Sequence, residues 1–183
     1  MTEPNANANT FDITRTGAPA AVTSGDANST CQFLTFTIGA EEYGVDIMAV
    51  REIKGWTETT RLPGTPDFMR GVINLRGLII PIFDLRARFH LGHTEATGKH
   101  VVIVLAVGER NIGILVDAVS DILDTDTSAI KPPPADTAAR EGATEAETQS
   151  VSGLISHHDR MVVLLDVEKL FDTNLIDGVA HGT

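Results

Sequence analysis

The chain has 183 residues and a formal net charge of −11, from 14 Lys and Arg against 25 Asp and Glu. That length holds one domain or two small ones rather than a large multidomain enzyme, and the charge counts against sequence-blind binding to nucleic acid or an anionic membrane, so proteins or cationic surfaces are the expected partners. Apolar residues make up 42% but aromatics only 5%, a core mix of Val, Ile and Leu that favours strands. Cys31, the only cysteine, excludes an internal disulfide and any multi-cysteine metal site. No apolar run approaches the roughly 18 residues of a membrane span, and no basic start precedes an apolar stretch, so the chain reads as cytoplasmic without membrane insertion.

Residues 1–30 are mostly Asn, Ala, Thr, Ser and Gly, which predicts a disordered arm. Leu34, Phe36 and Ile38 then alternate with Thr35 and Thr37, and Tyr43, Val45 and Ile47 alternate with Gly44 and Asp46, a period of 2 that predicts a hairpin. Thr65-Pro66 predicts a brief helical turn ending near Gly71. Pro81, inside the apolar run Leu78 to Phe83, belongs at an edge or bulge. Asp84 can cap a short helical turn to Phe89, as can Asp166 for a turn to Phe171. Val101 to Val107 and Ile112 to Val116 form another hairpin pattern. The 132–150 segment, PPPADTAAREGATEAETQS, has no large aliphatic or aromatic residue and is expected to be a flexible loop, while 176–183 reads as a fraying tail.

Sliding the chain along itself aligns 33–53 with 102–122 without a gap, matching Gly39 to Gly108, Gly44 to Gly113, Ala49 to Ala118, Val50 to Val119 and Ile53 to Ile122. A second alignment matches Gly71, Ile73, Asp84 and Phe89 to Gly153, Ile155, Asp166 and Phe171. The shift between the two alignments falls in the low-complexity loop, so the chain is two repeats, the second carrying an insertion. About five short strands per repeat suggest a small barrel, which hides its own edges. Two units this small are expected to pack through a third apolar layer.

Catalytic motifs are absent: there is no HExxH, GxSxG, GxGxxG or CxxC. Between Gly92 and Gly98 the spacing is one residue too long for a phosphate loop, and His100 stands where Ser or Thr would be needed. His157-His158-Asp159 reads as a solvated turn, since adjacent side chains on a tight turn diverge rather than converge on one ion, and Ser156 with them makes no triad. A small metal-dependent hydrolase on those residues, and a ligand-binding module with a deep pocket, are the readings from other classes. His90, His93 and His100 read as surface or edge residues. No catalytic residue, metal ligand or cofactor is assigned, and the chain is not expected to be an enzyme.

The charge is unevenly spread. Residues 51–90 carry seven basic and four acidic side chains, whereas 117–126 carries four acidic and none basic, a division that suits oriented docking between proteins. Arg76, on a Gly-permitted turn, is the side chain expected to read a partner's carboxylate or backbone oxygen. Val50, Glu52 and Lys54 are expected to share one strand face with the character of an interface.

The segments FLTFTIGAEEYGVDIMAVREI, TRLPGTPDFMRGVINLRGLIIPIFDLRARF, VVIVLAVGERNIGILVDAVSDIL and DRMVVLLDVEKLF resemble, in order and spacing, the CheW family of bacterial chemotaxis coupling proteins, from about Gln32 to Asp172. The long N-terminal arm and the Ala135 to Ser150 loop depart from the family pattern. The resemblance implies an all-β fold of two intertwined five-stranded SH3-like barrels with short helical turns, a CheW-like domain over 31–175 whose subdomains are approximately 33–89 and 102–171. It implies a noncatalytic adaptor linking the cytoplasmic tips of methyl-accepting chemotaxis receptors to the regulatory domain of the histidine kinase CheA, at membrane-associated receptor arrays. Carried over by motif, Val50 and Glu52 fall on the kinase-facing surface, while Arg76, Val101, Val119 and Ile122 fall on the receptor-facing one.

Overall fold

The structure, a computed structural model, describes residues 29–134 and 145–171. The predicted period-2 runs form strands. In chain order these are β1 (Thr30–Ile38), β2 (Glu41–Asp46), β3 (Val50–Gly55), β4 (Met69–Leu75), β5 (Leu78–Asp84), β6 (Val101–Val107), β7 (Arg110–Val116), β8 (Ala118–Asp126), β9 (Val151–His157) and β10 (Arg160–Leu165). Short helices α1 (Leu85–Arg88), α2 (Glu145–Ser150) and α3 (Val167–Leu170) complete the described elements, with single 3₁₀ turns at Ile47–Ala49 and Thr127–Ala129.

Two five-stranded sheets result, in the orders β8-β1-β2-β10-β9 and β3-β6-β7-β5-β4. Each takes the first hairpin of one repeat and the last three strands of the other. The boundaries 33–89 and 102–171 therefore delimit sequence repeats, not the spatial barrels. The repeats meet at four seams, antiparallel β1 on β8 and β3 on β6 and parallel β2 on β10 and β5 on β7, and the matched glycines make room for the parallel pair. A Cβ on Gly44 would stand 3.0 Å from Leu164 Cδ2, and one on Gly113 would collide with Ile82, each from the opposite repeat.

Each sheet closes on itself through a bridge beyond its outer strand, Thr60 to Val72 in one and Lys131 to Leu154 in the other, with paired backbone hydrogen bonds of 2.8 and 2.9 Å at each. Closure removes the exposed edges that a small open sheet would present. Pro81 fits this scheme because it stands opposite Val72, whose amide and carbonyl go to Thr60, while the β5–β7 ladder starts only at Ile82. Its missing N–H costs no ladder bond.

The predicted third apolar layer is present. Ile73, Ile80, Ile82, Val102, Val104 and Leu115 fill one barrel, and Phe33, Leu123, Ile155, Val162 and Leu164 fill the other. Between them lies a larger cluster drawn from both repeats, including Leu34, Phe36, Phe83, Ile103, Leu105, Ile114 and Phe171. Strand β6 thus buries both faces, Val102 and Val104 inward and Ile103, Leu105 and Val107 into the shared layer, which explains why VVIVLAV has no polar alternation.

Both Asp-capped turns form: Asp84 accepts from the amide of Ala87, and Asp166 from those of Glu168 and Lys169. Three expectations are corrected. Thr65-Pro66 does not start a helix; a single turn closes with Met69 N–H donating to Pro66 O at 2.9 Å, and Gly71 is already in β4. The end of the 132–150 segment is helical as α2, whose Ser150 is buried and accepts from Asp166 N–H at 2.7 Å; backbone docking substitutes here for apolar side chains. The arm boundary at residue 30 is late, because Thr30 pairs with Asp126 and Ser29 O accepts from Thr127 N–H. The remainder of the arm (1–28), of the loop (135–144) and the 176–183 tail lie outside the described residues.

Candidate functional site

The β4–β5 turn carries Arg76 at φ 54° and Gly77 at φ 90°, positive at both central positions as a type I′ two-residue hairpin requires. Asn74 fixes it by accepting from Gly77 N–H at 2.8 Å. Closure of the barrel at Thr60 and Val72 joins the β3 side of the sheet to β4, and the Arg76 guanidinium, 79% exposed at the side chain, reaches Glu52 with Nη1 3.0 Å from Oε2. Glu52 follows a bulge at Arg51, where Val50 and Glu52 oppose consecutive residues Leu105 and Val104 of β6. Along β3, Val50, Glu52 and Lys54 are half-buried while Arg51 and Ile53 are exposed. Val50 packs on the central cluster, so the outward apolar residue of this strand is Ile53, 45% exposed. Leu78 and Ile79, following the Arg76 turn, are 58% and 63% exposed.

The second repeat builds the counterpart differently. On β8, Val119 lies opposite Phe36 and packs on the central cluster, whereas Ile122, opposite Leu34, is 50% exposed. A bulge in β8 sets Ser120 and Asp121 against the single buried residue Thr35 of β1, whose hydroxyl takes over the pairing, donating to Asp121 O at 3.1 Å and accepting from Asp121 N–H at 3.2 Å. Val101 starts β6 between Gly55 and Val116, half-buried against the same cluster. The β9–β10 turn places His158 and Asp159 at φ 45° and 61°, with the rings of His157 and His158 4.0 Å apart.

Where the chain passes from β7 to β8, Asp117 ties the two sheets together. Its Oδ2 accepts from Arg86 Nη2 at 2.6 Å and from Gly39 N–H at 2.7 Å, and its Oδ1 lies 3.8 Å from His100 Nε2. Partial burial by itself pushes this carboxyl up; the Gly39 amide, the Arg86 guanidinium and His100 outweigh it and hold the acid below its usual range. His100 accepts from Thr97 N–H at 3.0 Å through Nδ1. It stands at the edge of β6, as expected from the sequence, and is also part of this junction.

Of the six residues singled out from sequence, the structure brings Glu52 and Arg76 into direct contact. Val50, Val101 and Val119 share the margin of the central cluster, and Ile122 stands outward on β8. Ile53, Leu78 and Ile79 were missed, although the alignment of Ile53 with Ile122 already carried the signal for the first. Among the described residues no three metal-ligating side chains converge, and no helix is long and apolar enough to cross a membrane.

A family model described as "CheW-like domain" matches residues 32–174. The chain is 45% identical over 152 residues to "Chemotaxis protein CheW" of Klebsiella aerogenes, covering 81% of this chain and 88% of that one. It is 26% identical over 158 residues to "Protein FrzA" of Myxococcus xanthus, covering 85% and 94%. Among solved structures it resembles the scaffolding protein TtCheW from Thermoanaerobacter tengcongensis, with a TM-score of 0.68, 32% identity, and 80% of this chain and 90% of that one covered. With two interlocked five-stranded sheets and matching sequence along most of its length, the chain belongs to the CheW-like family.

Proposed function

We propose that the chain is a noncatalytic adaptor that couples methyl-accepting chemoreceptors to the histidine kinase CheA in bacterial chemotaxis, working in the cytoplasm at receptor arrays. Val50 and Glu52 serve the kinase, and Arg76, Val101, Val119 and Ile122 serve the receptor. The observation that carries this reading is the Glu52–Arg76 ion pair, which links a residue assigned to one partner with a residue assigned to the other. A partner that engages either charge changes what the other can bind, and such linkage is reciprocal. Exposed Ile53, Ile122, Leu78 and Ile79 supply aliphatic anchors of the kind that amphipathic helices and sheet faces dock against. Relatives that carry the name chemotaxis protein, and a neighbour titled a scaffolding protein, support the same role. The adaptor does no chemistry; it changes, by a few kcal/mol, how a coupled kinase domain is held.

The test is co-sedimentation with a membrane-embedded receptor signalling fragment and CheA, reading kinase phosphorylation in the same tubes. Wild type is expected to pellet with both and raise the rate, while Arg76→Ala binds about tenfold more weakly, as truncated anchors do. Its melting temperature should stay within about 4 °C of wild type, since an exposed ion pair is worth about 0 to 1 kcal/mol. Failure of wild type to pellet even at low salt overturns the partners, and a large thermal loss in the variant makes Arg76 a structural residue.

A further inference from the structure

At the Met69 end of β4, the β3–β4 connection and the loop after α1 line an open cavity of about 520 Å³ whose walls include Arg61, Leu62, Asp67, Met69, Arg70 and His93. Arg76 follows the other end of this seven-residue strand, about 20 Å away, so the cavity is separate from the Glu52–Arg76 pair. Its volume lies within the range of small-ligand pockets. We propose that it binds a carboxylate carried on a short apolar arm.

Three observations converge on that chemistry. Arg70 is held in place with donors to spare: its contacts to Thr94 O at 3.0 Å and Asp84 at 3.7 Å both run through Nη1, and its guanidinium carbon lies 5.5 Å from the centre of the Trp56 ring. Asp84 is fully buried and its oxygens already accept from Thr94 N–H, the Thr94 hydroxyl and Ala87 N–H, so it does not claim the rest of the fork. Arg70 therefore keeps Nη2 and Nε for a ligand, in the planar arrangement that suits a carboxylate. Second, Arg61 and His93 stand exposed on the rim and, among the described residues, make no ion pair. Third, Asp67 on the same rim opposes a dianion such as phosphate more than a singly charged group, while Leu62 and buried Met69 offer an apolar wall for methylene groups. Thr65, whose hydroxyl donates to Leu62 O at 3.0 Å, fastens the loop that shapes the wall.

Trp56 is the chain's only tryptophan and packs on Arg70, so its fluorescence reports occupancy directly. The full chain is titrated with valerate, its neutral amide valeramide and inorganic phosphate, and in a further arm with a short acetylated peptide of sequence Leu-Glu-Leu. A saturable fluorescence change is expected with valerate and none with valeramide, with phosphate weaker than valerate. Arg61→Gln, an exposed position, should weaken valerate binding about fivefold and leave thermal unfolding unchanged. A peptide that binds more tightly than valerate assigns the carboxylate to a protein partner, and the reverse order assigns it to a free small acid. A linear, unsaturable response, an equal response to valeramide, indifference to Arg61→Gln, or phosphate as the tightest ligand each overturns the proposal.

Discussion

Gly71 adopts φ 134° directly beneath the strand extension that closes its barrel, and an added Cβ would collide with the Thr60 carbonyl oxygen and stand 2.7 Å from the Thr60 carbonyl carbon. Those are backbone atoms, which cannot rotate out of the way, and they belong to the residue whose hydrogen bonds with Val72 complete the sheet. Gly71→Ala is therefore expected to cost about 3 kcal/mol, combining a disfavoured backbone region with overpacking. Gly64 separates the two contributions, because it also has positive φ, 75°, but open space around its missing Cβ. Gly64→Ala should cost only about 1 kcal/mol. Urea unfolding of both variants checks this, and equal losses would mean that the closure contact contributes nothing. Arg76, at φ 54°, shows the opposite use of the same region: a non-glycine held there by the Asn74 hydrogen bond presents its guanidinium at the hairpin tip.

Asp117 is the single residue between β7 of one sheet and β8 of the other, and its carboxylate fastens this crossing to the β1–β2 turn through Gly39 and to α1 through Arg86. Because its folded pKa lies below the usual value of 3.8, the stabilisation is fully present above the unfolded pKa and is lost as pH falls through the folded one. Wild type should exceed Asp117→Asn by about 1 to 2 kcal/mol at pH 7 and pH 5. The gap should close as pH drops below about 4, as read from urea midpoints of the pair. A gap that persists undiminished to pH 3 would show that the carboxylate's charge is not what the junction uses. Elements of this length were readable from sequence where pattern and chemistry are local: the hairpins from period-2 runs, the two capped turns from Asp84 and Asp166, the repeat from its glycines. Contacts between distant segments were not. Glu52 and Arg76 meet only because the sheet closes, His100 faces Asp117 across two strands' worth of chain, and α2 forms in a stretch without large apolar residues because its backbone docks on the start of α3. None of these leaves a mark in local periodicity.

On the scale of the whole chain, strand exchange makes the two barrels one folding unit. The first repeat holds β1 to β5, yet β3, β4 and β5 complete a sheet only with β6 and β7 from the second repeat, and β1 and β2 only with β8, β9 and β10. The central cluster draws on both repeats, so removing either leaves the other with a bare apolar face as well as a broken sheet. A pair of side-by-side domains would melt in parts, with Trp56, which packs in the β3-β6-β7-β5-β4 barrel, reporting on that barrel alone. The interlocked chain should instead unfold in one step, with Trp56 fluorescence and far-UV circular dichroism giving the same midpoint in urea. The sharper form of the prediction divides the chain in the exposed loop at Gly98 and Lys99. Residues 1–98 and 99–183 should each lack a cooperative transition alone, and mixing them should restore one, because the seams β2–β10 and β5–β7 are contacts between the fragments. Cooperative unfolding of 1–98 by itself would show that a repeat can pair its own strands, and that the exchange is a choice between two folded arrangements rather than a requirement.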